Sequence, residues 1–185
     1  MEMTKIAMEP LMVIEPKFEL TELGKTPYGT RRIVHSAKGR FEGRGELKGV
    51  EGKIETAFGW TLIREADQVW EINVRMVLRS ADDPHGKDLI YASWMGLRHG
   101  KGDSTVELAM ATNRPQDLKP GQVEFFITPY FETNPDGKYA LLNRVCAIGA
   151  GTLTEATSRT LHIFRVLQGG SELLTRIGIE ELTTI

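Results

Sequence analysis

A chain of 185 residues with 41% hydrophobic and 26% charged residues has the composition of one water-soluble globular domain, which excludes a disordered chain and a helical membrane protein. Twenty-three basic residues against 25 acidic ones leave a net charge of −2, so neither nucleic acid nor a membrane surface is expected as a partner. The single cysteine, Cys146, allows no internal disulfide, no Asn-x-Ser/Thr acceptor occurs, and Met1 to Pro10 lack a secretory apolar stretch; a cytoplasmic location is expected.

In chain order the sequence breaks into short alternating or continuous apolar stretches, which is a strand signature. Candidate strands fall over residues 11–20, 30–41, 46–51, 57–64, 69–80, 88–95, 105–112, 122–133, 139–149 and 157–167. Turn signals separate them: Leu23-Gly24, Thr26-Pro27, Asp83-Pro84-His85-Gly86, Lys119-Pro120-Gly121 and Asn134-Pro135-Asp136-Gly137. Short connections without intervening helices require antiparallel pairing. The expected fold is all-β, a single antiparallel barrel of about eight to ten strands around a pocket, because closure removes exposed edges. Residues 1–185 are read as one domain, with an N-terminal tail over 1–10; residues 171–185 form a tail or a short helix capped by Ser171.

Several familiar motifs are absent. His35, His85, His99 and His162 have no partner at metal-ligand spacing, so no metal site is expected. Gly149-Ala150-Gly151 lacks the third glycine of a dinucleotide fingerprint, and Thr154 stands there instead. Gly96 to Gly102 fails as a phosphate loop because Gly102 occupies the Ser/Thr position. No Gly-x-Ser-x-Gly elbow occurs, and no cofactor is expected.

A set of blocks is distinctive: Tyr28-Gly29-Thr30-Arg31-Arg32-Ile33-Val34, Gly39-Arg40-Phe41-Glu42-Gly43, Leu47-Lys48-Gly49, Gly96-Leu97-Arg98-His99-Gly100, Pro129-Tyr130-Phe131-Glu132-Thr133 and Leu142-Asn143-Arg144 running into Ile148-Gly149-Ala150-Gly151. In order and spacing they resemble the domain-of-unknown-function family 3237, also called uncharacterised protein family 0311. The resemblance implies a small antiparallel barrel, cytosolic and often oligomeric, without a known cofactor. Some fungal relatives in that family look like chalcone isomerases, which close a flavanone ring with a histidine implicated. Three positions depart from the family pattern: Gly59 replaces an Asp, Phe126 an Arg and Leu141 a Trp. If they line the pocket, its ligand is less polar than the family's usual one.

Within 30–41 the period-two rule puts Ile33, His35, Ala37 and Phe41 on one apolar face and Arg32, Val34, Ser36 and Arg40 on the other. His35 is thus the candidate acid–base residue, with a core histidine held by one partner as the alternative. Lys48 is the candidate oxyanion stabiliser, or else a solvated strand lysine. Tyr28, Tyr91 and Tyr130 offer hydroxyl donors, Trp60 and Trp94 flat faces, and Phe126 a ring grip; Arg32 completes this group of binding candidates. Glu132 and Asn143 are expected to meet across the 134–137 turn, to orient a ligand hydroxyl or to pin the hairpin. Arg98 and His99 follow a strand end at the barrel mouth, and His99 is the second acid–base candidate.

The reading these residues support is a cofactor-independent isomerase or cyclase acting on a small aromatic or polyketide-type metabolite inside the barrel, in a homo-oligomer. The competing readings are a barrel that carries a metabolite without chemistry and an oligomeric scaffold whose lumen is filled by its own side chains.

Overall fold

In a computed structural model, which describes residues 5–100, 122–153 and 158–169, eight antiparallel strands close into a barrel. They are β1 (Lys5–Thr26), β2 (Gly29–Gly43), β3 (Glu51–Ile63), β4 (Trp70–Ser80), β5 (Ile90–Gly100), β6 (Val123–Glu132), β7 (Ala147–Leu153) and β8 (Arg159–Gly169). Each strand pairs with the next, and β8 returns to β1, so the barrel has the all-β antiparallel architecture expected. The candidate strand over 105–112 and the tail over 171–185 lie outside the described residues. Among the described residues no helix is long and apolar enough to cross a membrane.

Strand alternation explains the closure. In β4, Trp70, Ile72, Val74, Met76, Leu78 and Ser80 are buried, while Glu71, Asn73 and Arg75 point outward. A sheet with one apolar face must hide it, and curling on itself does so without a second layer. β1 is long enough to serve two neighbours, pairing with β8 over Lys5–Ile14 and with β2 over Met12–Thr26, so Lys5–Pro10 are strand and not the N-terminal tail expected over 1–10. Register shifts at Pro10/Met12, Lys17/Glu19 and Glu22/Gly24 bend it around the barrel, as bulges do.

One end of the barrel, where β2, β4 and β6 finish, is filled. Leu11, Met12, Ile14, Phe41, Leu78, Ile90 and Phe131 are each at most 2% exposed there. An eight-stranded lumen is only wide enough for side chains to fill, and here they fill it. Two 3-10 segments, Gly45–Leu47 and Ala140–Arg144, add Leu47 and Leu142 to the same cluster, with Tyr139 just before the second. The Tyr139 hydroxyl donates to Asp82 Oδ1 at 2.8 Å, and Lys138 pairs with the other carboxylate oxygen.

These segments correct two expectations. The expected strand over 46–51 is instead the end of the 3-10 segment Gly45–Leu47 and a turn, because Gly45 and Gly49 adopt φ of +54° and +89°, which turn the chain back before β3 begins at Glu51. The first half of 139–149 is likewise 3-10 helix. There Tyr139 and Leu142, three residues apart, both drop into the core, and only Ala147–Leu153 remains strand. A third expectation is corrected at β5, which runs on to Gly100, so Arg98 and His99 belong to the strand and not to a loop beyond it.

Candidate functional site

At the other end of the barrel the alternation continues, but the chemistry changes. Along β5 the inward phase runs Ile90, Ala92, Trp94 and then Arg98, which is only 3% exposed. Register sets its neighbours: Trp70 on β4 and Phe125 on β6 are its cross-strand partners, while Thr61 on β3 lies between Arg32 and Ile72. Arg159 opens β8 nearby and is 9% exposed. Three arginines thus reach the inner face at one end of an apolar barrel.

The Arg98 guanidinium lies 3.8 Å from the Trp70 ring centroid, and that of Arg32 lies 5.2 Å from it. A cation over a desolvated indole gains about 2 kcal/mol, which offsets only part of the cost of burying it. Arg32 also meets Glu22 at 3.4 Å near the rim, and Arg159 Nη1 donates to the Ser158 carbonyl at 2.8 Å. Desolvation, then Arg159, then Arg32 pull the Arg98 pKa well below its ordinary value. Burial lowers Arg159 to about 10. Arginine does not surrender its proton in a folded protein, so the Arg98 charge persists and the environment favours an anion beside it.

A cavity of about 40 Å³ lies here, bounded in part by Arg32, Thr61, Trp70, Trp94, Arg98 and Phe125. Among the described residues, the buried side-chain polar atoms without a hydrogen-bond partner are Thr61 Oγ1 and Arg98 Nε, and both residues line this one cavity. Phe125 reaches its wall because Gly151 has no side chain, since a Cβ there would strike the Phe125 ring. The Gly149-Ala150-Gly151 run therefore serves close packing, with Gly149 leaving room for Ile127 and Ile163.

The candidates chosen from sequence are distributed differently. Arg32 lines the cavity, and Trp94 forms part of its wall. His35 does not: its side chain is 44% exposed on the outer surface, with Nε2 3.8 Å from Glu19, while Val34 and Ser36 face inward. The assumed alternation fails because it ran unbroken to Phe41. Gly39, at φ +134°, and the register shift between Lys17 and Glu19 lie beside the point where the inward phase passes from even to odd positions. Lys48 is exposed beyond the 3-10 turn at the filled end, so it joins neither His35 nor the cavity. Tyr28 sits in the β1–β2 turn and is 76% exposed.

Trp60, His99 and Phe126 instead border an outer groove that also includes Met95 and Leu97. His99 faces Glu124 at 3.3 Å through Nε2 and the Gly100 carbonyl at 3.1 Å through Nδ1. Tyr91, Tyr130 and Glu132 occupy outward positions on the same side, where Tyr91 and Glu132 are cross-strand partners. Asn143 does not face Glu132 across a ladder. Its amide accepts from Thr133 N at 2.8 Å and donates to Thr133 O at 3.1 Å, which pins the chain after β6. Of the three family departures, Gly59 is buried between Val34 and Val74, Phe126 is on the outside, and Leu141 packs against the filled core. Among the described residues no three His, Cys, Asp or Glu side chains gather as a metal ligand set.

Sequence reasoning missed Thr61, Trp70 and Arg159 as cavity residues. For Arg98 the signal was present: it continues the Ile90, Ala92, Trp94 alternation, so a charged residue stands in a core phase.

Comparison with known families settles kinship. Residues 6–166 match the family described as protein of unknown function, DUF3237. The chain belongs to the DUF3237 family. No curated protein matches it. Among solved structures, a conserved protein of unknown function from Rhodopseudomonas palustris is 19% identical, with a TM-score of 0.74 over 88% of this chain and 99% of that one. A beta-barrel like protein from Acinetobacter baumannii is 27% identical, with a TM-score of 0.69 over 88% and 97%. An enzyme from Penicillium herquei shares the fold at 14% identity, with a TM-score of 0.61 over 90% and 98%.

Proposed function

We propose that this DUF3237 barrel is a small-molecule site whose guest enters the lumen at the end where Arg32, Arg98 and Arg159 converge. The observation that carries this reading is the pairing of two unsatisfied polar atoms, on Thr61 and Arg98, in one cavity with aromatic walls. Apolar enclosure with a few convergent polar groups is the usual form of a metabolite pocket. The filled opposite end supports a guest that reaches only part of the way into the barrel. The test is a calorimetric screen of small aromatic and aliphatic metabolites against the wild-type protein and Trp94→Ala. Binding that weakens in the variant supports the reading, and an absence of binding across the screen removes it.

The finer reading is a cofactor-independent isomerase or cyclase of the chalcone-isomerase kind, acting on an aromatic or polyketide-type metabolite. One observation favours it: a guanidinium only 3% exposed among aromatic walls is an effective stabiliser of a developing enolate or phenolate oxygen. In this scheme Arg98 takes the part first assigned to Lys48, and His35 has none. The Penicillium herquei relative in fold is an enzyme, which fits a barrel of this kind carrying chemistry. Incubation with chalcones and related enones, followed by product analysis, separates turnover from carriage. A homo-oligomer is supported by Met95, Leu97, Phe126 and Tyr130, each at least half exposed on neighbouring strands of the outer surface, a kind of patch that marks interaction sites. Sedimentation measures it.

A further inference from the structure

We infer that the guest of this cavity is a monocarboxylic acid, bound as its carboxylate against the Arg98 guanidinium with the Thr61 hydroxyl as second partner. The inference deepens the small-molecule reading above and rests on it. Four observations select this chemistry. Arg98 is 3% exposed, and among the described residues no carboxylate pairs with it; the charged groups that perturb it are Arg159 and Arg32, both of its own sign. Arg98 Nε is buried without a hydrogen bond, and Nε with one terminal nitrogen is an edge that carboxylates grip in a two-point fork. Thr61 Oγ1, likewise unsatisfied, lies on the same cavity and offers a hydroxyl donor to such a guest.

Size is the fourth. A volume of about 40 Å³ accommodates roughly three water positions, which suits the carboxylate head while the rest of the guest extends beyond it. The apolar body of the acid then rests toward Phe18, Leu20 and Val34, which share the wall, and Leu20 is 38% exposed. A single negative charge matches Arg98, since the neighbouring Arg32 already has Glu22 as its carboxylate partner.

The test is titration calorimetry on the full chain with propanoate and benzoate, each against its neutral amide, and with chloride and inorganic phosphate as controls. A carboxylate is expected to bind at least about tenfold more tightly than its amide, and Arg98→Met is expected to erase that difference. In wild-type protein the Arg98 Nε–H resonance in nitrogen-15 spectra should move on adding the acid and stay put on adding the amide, which keeps the test valid even if the variant fails to fold. Equal affinity for acid and amide would overturn the carboxylate assignment while leaving a small-molecule site. Chloride or phosphate binding with no organic acid bound would also overturn it, in favour of an inorganic anion. If no compound binds at all, the small-molecule reading fails with it.

Discussion

The two ends of one barrel use the same strand alternation for opposite purposes. At the filled end the inward positions of β4 to β6 hold Leu78, Ile90 and Phe131, and the 3-10 segment Ala140–Arg144 seals them with Leu142. At the cationic end the equivalent positions hold Trp70, Arg98 and Phe125, and polar atoms remain unsatisfied. The first arrangement lowers the free energy of the folded chain alone. The second costs stability in the free protein, which is typical of a place kept for something else.

Substitutions at the two ends should therefore move stability in opposite directions. Phe131→Ala, in the filled end, is expected to cost about 3–5 kcal/mol in urea unfolding, through lost burial and the hole left behind. If that variant still folds, its ligand affinity should be unchanged. Arg98→Met removes a buried charge while keeping most of the volume, and is expected to stabilise the unliganded protein by about 1–4 kcal/mol while abolishing ligand-induced stabilisation.

Tyr139→Phe deletes the hydroxyl that donates to Asp82 and should cost about 1 kcal/mol without touching the site. The same latch gives an acid dependence. Lys138 first, then Ser80 and Tyr139, hold the Asp82 carboxyl far below its ordinary value of 3.8. Its contribution is therefore complete above that value and is lost as the pH falls through the lower native one. In pH-dependent denaturation Asp82→Asn should show a shallower loss of stability below about pH 4 than the wild type. The smallest effect is expected from His35→Ala, within about 0.5 kcal/mol in stability and with unaltered ligand binding, because the ring stands on the outer surface.

Much of the architecture was legible in the residues, because strand alternation and turn chemistry are local. The hairpin turns near Thr26-Pro27 and the apolar phase of β4 follow directly from sequence. What was illegible depended on tertiary contacts. The even-to-odd change of phase along β2, past Gly39, decides which side of the wall His35 occupies, and no periodicity over so short a window reveals it. Tyr139 and Leu142 leave the strand pattern because the core beneath them has room for both, which is a property of the assembled barrel. Arg98 was the opposite case, readable in phase with Trp94 yet assigned to a loop because the glycines around it look like a strand end.

The contrast between the ends is tested most directly by the unfolding free energy of wild-type protein and Arg98→Met, each measured in urea with and without saturating benzoate. The account predicts that the variant is the more stable of the two without benzoate, and that only the wild type gains stability when benzoate is added. A variant less stable than wild type in plain buffer, or one that benzoate stabilises equally, would contradict it.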